Sequence, residues 1–286
     1  MDKSAIRDPE SAIDSPQSAI GSPQSAIGSP QSALRNPQCH DAIILAAGMG
    51  IRLRSMVRDR PKGLIEIDHE TLVGRSVRLL RDAGMTRITI VTGYAAGQYE
   101  QFARDQSDIQ LVVNDHFATT GSMASLAVGL ECVQCDAMVL ESDLVYEARA
   151  LHTILNAPAA DSTLTSGPTG AGDEVWVDAP GGRLRAMSKN VHELCGIDGE
   201  FVGITRLSWS VGQAMLRAFG QFVNLHGHAR MDYETGALVA VARSSPISVQ
   251  LIRDLNWGEV DNEQQYERVV RQVWPVASRE CAKVRT

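Results

Sequence analysis

The chain has 286 residues, 44% of them hydrophobic, enough for one large α/β domain or two small ones around a substantial core. A formal charge of −7 with no block of basic residues excludes the electrostatic footprint of a nucleic-acid binder and points to a small-molecule partner. Five cysteines, an odd number spread along a long chain, suit reduced thiols; with no apolar leader and no stretch near the roughly 18 apolar residues of a membrane span, the expectation is a cytoplasmic protein with no membrane partner.

Residues 4–38 are five tandem heptads of the form Ser-Ala-Ile/Leu-x-x-Pro-Gln/Glu, with prolines at Pro9, Pro16, Pro23, Pro30 and Pro37. A proline every seven residues rules out a coiled coil, because each removes a helical hydrogen bond and clashes with the preceding turn. One Ile or Leu per unit buries too little to offset the ordering entropy, so residues 1–40 are expected to form a disordered tail. From Asp41 the pattern becomes alternating strands and helices. Apolar runs at 42–46, 88–92, 111–113 and 137–140 read as buried strands, and 72–83, 122–133 and 148–156 read as helices, the first ending at Gly84. That rhythm implies a parallel sheet covered on both faces. Residues 175–177 and 184–187 flank Ala-Pro-Gly-Gly as a hairpin, inserted over the sheet edge, and 201–207 is another strand. Helical periodicity returns at 211–219, 233–242 and 262–273, with a strand at 247–252. The expected domain spans residues 41–274, leaving 275–286 as a C-terminal tail.

The stretch that carries chemistry is Leu45-Ala-Ala-Gly-Met-Gly-Ile-Arg-Leu-Arg54, followed by Arg60-Pro-Lys-Gly-Leu64. A strand entering a Gly-x-Gly loop lets backbone N–H groups approach phosphates closely, since glycine lacks the Cβ that would block them. Arg52 and Lys62 lie just beyond, placed to neutralise phosphate charge as it develops in a transition state. Taken alone, Gly-x-Gly is better read as a tight turn, with both cations on the surface. A dinucleotide site falls well behind, with Leu53 where a third glycine belongs and Thr92-Gly-Tyr94 where an acidic residue should end the second strand; a Walker loop falls behind for want of Gly-Lys-Ser/Thr. Triphosphate chemistry needs a magnesium ion on one or two carboxylates. Asp143, at the carboxyl end of the fourth strand, and Asp261, before the last helix, are the candidates; each fits an ordinary turn or helix cap as well.

Leu-Ala-Ala-Gly-x-Gly-x-Arg with a Pro-Lys about ten residues later resembles the signature of the sugar-phosphate nucleotidylyltransferase superfamily. Over residues 41–274 the chain looks most like the small cytidylyltransferases that activate phosphocholine or phosphonates. Further carriers are Asn114, Gly121-Ser-Met-Ala-Ser-Leu126, Glu141-Ser-Asp143, Phe201-Val-Gly-Ile204, Tyr233-Glu234 and Trp257-Gly-Glu-Val-Asp261. The resemblance implies an α/β, Rossmann-like nucleotidyltransferase fold: a mixed, mostly parallel sheet flanked by helices, with a small β-hairpin insertion over the acceptor site.

By that resemblance CTP is bound by Leu45, Ala46, Ala47, Gly48, Gly50, Lys62, Thr92, Gly93 and Ser122, with Arg52 and Lys62 catalytic and Mg²⁺ on Asp143 and Asp261. The acceptor, a small phosphonate or phosphate ester, meets Lys189, Glu174 and Tyr233. A homodimer is left open. Two departures bear on specificity. Gly121-Ser122 stands where the family usually has Asn-Ser or Asn-Asn, and Val175 stands where choline-activating relatives place an aromatic residue for cation–π attraction. The expected reaction therefore moves CMP from CTP onto a phosphonate of the phosphonoformate or 2-aminoethylphosphonate type, with Lys189 and Arg185 able to pair with an acidic acceptor. Phosphocholine cytidylyltransferase, sugar-1-phosphate nucleotidylyltransferase and non-catalytic nucleotide-binding regulatory protein are the alternatives. Cys132-Val-Gln-Cys135 and His226-Gly-His228 are read as structural, lacking the further ligands a metal site requires.

Overall fold

The computed structural model describes residues 40–53 and 60–283. The heptad repeats and Arg54 lie outside the described residues. The chain begins with β1 (Asp41–Ala46), then β2 (Glu66–Ile67), β3 (Glu70–Thr71) and α1 (Leu72–Asp82), whose first turn is capped by the Thr71 hydroxyl accepting from the Gly74 N–H. β4 (Arg87–Thr92), α2 (Ala96–Ala103), β5 (Ile109–Val113), α3 (Ser122–Leu130) and β6 (Ala137–Glu141) complete the β-α-β rhythm. Next come β7 (Leu144–Tyr146), α4 (Arg149–Leu155), β8 (Ser162–Ser166), β9 (Trp176–Asp178), β10 (Ala186–Ser188) and β11 (Gly199–Leu207). The remainder is α5 (Trp209–His226), a π-helical turn (Tyr233–Leu238) leading into α6 (Val239–Ala242), β12 (Ser248–Ile252), β13 (Trp257–Glu259), α7 (Glu263–Arg268) and α8 (Trp274–Lys283).

Nine of these strands form one mixed sheet. β5, β4, β1 and β6 run parallel in that order; β11 pairs antiparallel with β6 and with β8, and β12 pairs parallel with β8. The apolar run of β1 is buried on both sides, as a central parallel strand must be. Ile44 joins Ile88, Ile90 and Leu140 on the face covered by α1, α2 and α4, while Ile43 joins Val91, Val139, Leu126 and Met215 on the face covered by α3 and α5. The expected fold class is thus borne out.

Register explains how the hairpin reaches the site. Ile204 to Leu207 of β11 pair with β6, and the first residues of β11, Gly199 and Glu200, run past the end of β6 to pair with Val177 and Trp176 of β9. The β9–β10 hairpin therefore sits over the carboxyl end of β6, where α/β sheets gather ligands. A second pairing, β13 with β7, aligns Glu259 with Leu144 and continues into a hydrogen bond from the Val260 N–H to the Asp143 carbonyl at 3.1 Å.

The domain runs further than its apolar pattern indicates. The segment expected to be a tail forms α8, in which Ala277 and Trp274 pack with Leu53, Val145 and Val269, and the Ala277 carbonyl accepts from the buried Arg75 guanidinium at 3.0 Å.

Candidate active site

The loop after β1 turns sharply at Gly50, whose φ is +54°. A Cβ there would lie 2.6 Å from Lys62 Cγ, so the glycine leaves the channel along which the lysine stem runs. Lys62 itself opens a short 3₁₀ turn (Lys62–Leu64) whose next residue, Gly63, is packed so tightly that a Cβ would meet Val73 at 2.5 Å and the Tyr99 hydroxyl at 2.7 Å. The lysine backbone is thereby held while its side chain projects inward.

Lys62 Nζ donates to Asp143 Oδ2 and to Asp261 Oδ1. Burial alone would lower the Lys62 pKa, but the charges and hydrogen bonds of the two carboxylates outweigh it and raise the net value, so the side chain is an ammonium at neutral pH. For Asp261 the balance also favours ionisation: burial pushes its pKa up, and Lys62 and Arg52 bring it below the usual carboxylate range. Arg52 donates to Asp261 at 2.7 Å and to Asp173 at 3.4 Å from an exposed position at the rim. The helix cap expected of Asp261 is supplied instead by Asn262, whose side chain accepts from the Gln265 N–H. Buried Gln265 accepts from the Asp261 N–H at 2.8 Å and donates to Asp173 at 2.6 Å, clamping the two acids together.

A cavity of about 310 Å³ opens in front of this pair. It is lined by Leu45, Ala47 and Gly48 at and after the end of β1, by Phe117, Ser122 and Ser125, by Lys62, Ser142 and Asp143, and by Glu141, Lys189, Asp232, Tyr233 and Glu234. Leu45 and Glu141 stand side by side, paired between β1 and β6. Tyr233 donates its hydroxyl to Glu141 at 3.1 Å. Burial, then the charges of Asp143 and Glu234, push the Glu141 carboxyl up to about 8. Burial and the nearby carboxylate of Glu141 hold Tyr233 well above its ordinary range, so it remains a phenol donor.

Of the residues expected to contact nucleotide, Leu45, Ala47, Gly48, Lys62 and Ser122 line the cavity. Ala46 and Thr92 are buried behind it, Ala46 in the core and Thr92 donating to the Val112 carbonyl at 3.2 Å. Gly93 abuts the Phe117 ring, and Gly50 supports Lys62. Among the expected acceptor contacts, Tyr233 and Lys189 line the cavity but Glu174 does not: its loop curls back, and its carboxylate accepts from the Gly172 N–H at 3.1 Å. Arg185 is likewise committed elsewhere, in a two-pronged pair with buried Asp178. The cysteine pair is structural, with Cys135 Sγ donating to Asp41 at 3.0 Å.

Glu141 and Glu234 belong to the segments that carry the resemblance, yet nothing in the chain marks them as lining one cavity; Glu141 is placed by the end of β6 and Glu234 by the π turn at 233–238. Ser122 is not a helix cap, since that position is Gly121, packed against the Met231 backbone at what would be 2.3 Å from a Cβ. This close approach is the physical reason an asparagine cannot stand there. The Ser122 hydroxyl instead accepts from the Tyr233 N–H at 2.9 Å and donates to Glu234 at 3.3 Å, tying the start of α3 to the 233–238 turn.

The donor set suits a hard divalent cation. Asp143 and Asp261 converge on one point, and Asp143 Oδ1 is buried with no hydrogen-bond partner among the described residues. Carboxylate oxygens of Asp173, Glu259 and Asp261 also lie within 4.8 Å of one another. No described helix is long and apolar enough to cross a membrane.

These features match known proteins. The choline-phosphate cytidylyltransferase of Streptococcus pneumoniae is 35% identical over 85 residues, 30% of this chain and 37% of that protein. The CMP-5'-(3-aminopropyl)phosphonate synthase of Streptomyces rubellomurinus is 30% identical over 145 residues, 49% of this chain and 23% of that protein. The alignments thus span well under half the length of either relative. In three dimensions the inositol-1-phosphate CTP transferase of T. maritima superposes with a TM-score of 0.67 at 17% identity, covering 80% of this chain and 91% of that one. The matching family model covers residues 42–194, from β1 through the phosphate loop and Asp143 to the hairpin with Lys189, and on that extent the chain belongs to the MobA-like NTP transferase domain family.

Proposed function

We propose that the protein transfers CMP from CTP to a small phosphonate, releasing pyrophosphate. The observation that carries this reading is that the loop after β1, Lys62 and a polar set from β6, the hairpin and residues 232–234 all line one cavity. Support comes from the named relatives, a choline-phosphate cytidylyltransferase and a CMP-aminopropylphosphonate synthase.

In this reading the triphosphate lies over residues 45–50, with the base between the loop and Ser122. A phosphonate oxygen, already anionic at neutral pH, attacks the α-phosphorus in line; the bond to the bridging oxygen breaks and pyrophosphate leaves. No general base is required, so catalysis rests on positioning and charge stabilisation by Lys62 and Arg52. Asp143 and Asp261 would hold Mg²⁺, which supplies charge neutralisation on the phosphates when bound.

The polar set narrows the substrate. Asp232 lies beside Lys189, burial favours the protonated forms of Glu141 and Glu234, and Arg185 is held by Asp178. An acceptor with an ammonium group, of the 2-aminoethylphosphonate type, would donate to these carboxyl groups and draw Glu141 toward ionisation, whereas an acidic one such as phosphonoformate has no donor to offer. The reaction would take place in the cytoplasm, where CTP and Mg²⁺ are at hand.

The test is pyrophosphate release by the purified protein with Mg²⁺, across four nucleoside triphosphates and four acceptors: 2-aminoethylphosphonate, phosphonoformate, phosphocholine and glucose 1-phosphate. Release with CTP and the aminophosphonate is expected. Equal rates with glucose 1-phosphate would replace this reading by a sugar-1-phosphate nucleotidylyltransferase, and nucleotide binding without release would indicate a regulatory protein.

A further inference from the structure

The two carboxylates that suit a divalent cation are already held by a cation of the chain's own. Lys62 Nζ bonds to both Asp143 and Asp261, and its side chain is only 17% exposed. The remaining oxygen of Asp261 accepts from Arg52. Asp143 Oδ1 has no partner among the described residues, but a divalent ion that bridges both carboxylates must displace the ammonium buried between them, because the two cations repel each other strongly at such separations.

The lysine is built to move without disturbing the fold. Its backbone is fixed by the packing of Gly63 against Val73 and Tyr99, whereas its four-carbon stem lies along the bare face of Gly50 and borders the same cavity as Gly48. Rotation about the stem can carry the ammonium from the carboxylates toward the phosphate loop. A triphosphate in that loop offers it negative charge in place of the charge it leaves.

We propose that Lys62 is a stand-in cation for the Asp143–Asp261 pair, releasing the carboxylates to a divalent ion only when a triphosphate draws its ammonium away, so that metal and nucleotide bind as a unit. This rests on the reading of the cavity as a nucleotide site. It adds an order to that reading: the nucleotide-free protein discriminates against divalent metal, and metal and nucleotide tighten each other's binding by the same factor, as linkage requires. The device keeps two adjacent buried carboxylates from repelling one another between turnovers and ties metal capture to arrival of the substrate that needs it.

The test is Mn²⁺ binding to the full-length protein, followed by electron paramagnetic resonance in the absence of nucleotide. Wild-type protein should bind Mn²⁺ weakly, whereas Lys62→Met should bind one ion about tenfold or more tightly, within the range typical of coupled sites. Adding Asp143→Asn to the variant should abolish that gain, and Lys62→Arg, which retains a cation, should stay weak. Micromolar Mn²⁺ binding by wild type, a measurement that needs no variant to fold, would overturn the proposal, as would unchanged affinity in a folded Lys62→Met protein.

Pyrophosphate release by wild type is read separately. Release with no change in Mn²⁺ affinity would sink the stand-in role and leave the enzymatic reading. Tighter Mn²⁺ in the variant with no release from any triphosphate would do the opposite.

Discussion

Gly50 and Lys62 are in contact across the phosphate loop, and a Cβ on the glycine would fall 2.6 Å from the lysine Cγ. Gly50 also has φ +54°, where a side chain costs about 1–2 kcal/mol. Gly50→Ala should therefore lower unfolding stability by about that amount and reduce kcat by roughly tenfold, the scale of about 1.4 kcal/mol in the barrier, because the lysine stem is pushed off its path. Urea melts and steady-state rates on one preparation check both effects; an unchanged kcat would show that the lysine reaches its place by another route.

In the proposed reaction Lys62 meets the triphosphate on binding, and its charge counts most as negative charge grows in the transition state. Lys62→Ala should lower kcat by on the order of 100-fold while KM for CTP changes far less. A raised KM at constant kcat would make Lys62 a simple binding group.

Ser122 joins the start of α3 to the 233–238 turn through Tyr233 and Glu234. Replacing it with alanine leaves the Tyr233 N–H without that acceptor, at a cost of about 1–3 kcal/mol. The expected kinetic result is a larger rise in KM for the acceptor phosphonate than for CTP. A rise confined to CTP would limit Ser122 to holding the cytosine base.

Removing residues 274–286 deletes the Trp274 indole that donates to Asp68 at 2.6 Å and the Ala277 carbonyl that accepts from Arg75. Disturbing the partners of a buried charge costs about 3–5 kcal/mol, so the midpoint of urea unfolding should fall sharply. An unmoved midpoint would mean that α8 is an appendage.

How much of this was legible depended on how local each signal is. β1, β4 and β6 are apolar runs flanked by helical periodicity, and their parallel order follows from that alternation. β8 escapes notice because Ser-Thr-Leu-Thr-Ser is polar, yet it is fully buried: Thr163 bonds to Thr205 at 3.0 Å and Ser166 accepts from the Trp257 indole at 2.7 Å. The phosphate loop and Lys62 follow from a contiguous motif. That Asp261 reaches Asp143 depends on the three-residue pairing of β13 with β7, which carries no pattern of its own. The hairpin reaches the cavity through Lys189, but Glu174 at its start does not, because the preceding loop curls and its carboxylate accepts from the Gly172 N–H. Glu141 and Glu234 gain their character from burial beside one another, a property that appears only when β6 and the 233–238 turn are packed together.

The proposed reaction joins the phosphonate to the CMP phosphorus, and ³¹P NMR of the protein incubated with CTP, Mg²⁺ and 2-aminoethylphosphonate observes that bond directly. A pair of coupled doublets is expected, one from the phosphonate and one from the CMP phosphorus joined to it, growing as free pyrophosphate appears. Pyrophosphate with only CMP beside it, or doublets that form with glucose 1-phosphate and not with the phosphonate, would contradict that reaction.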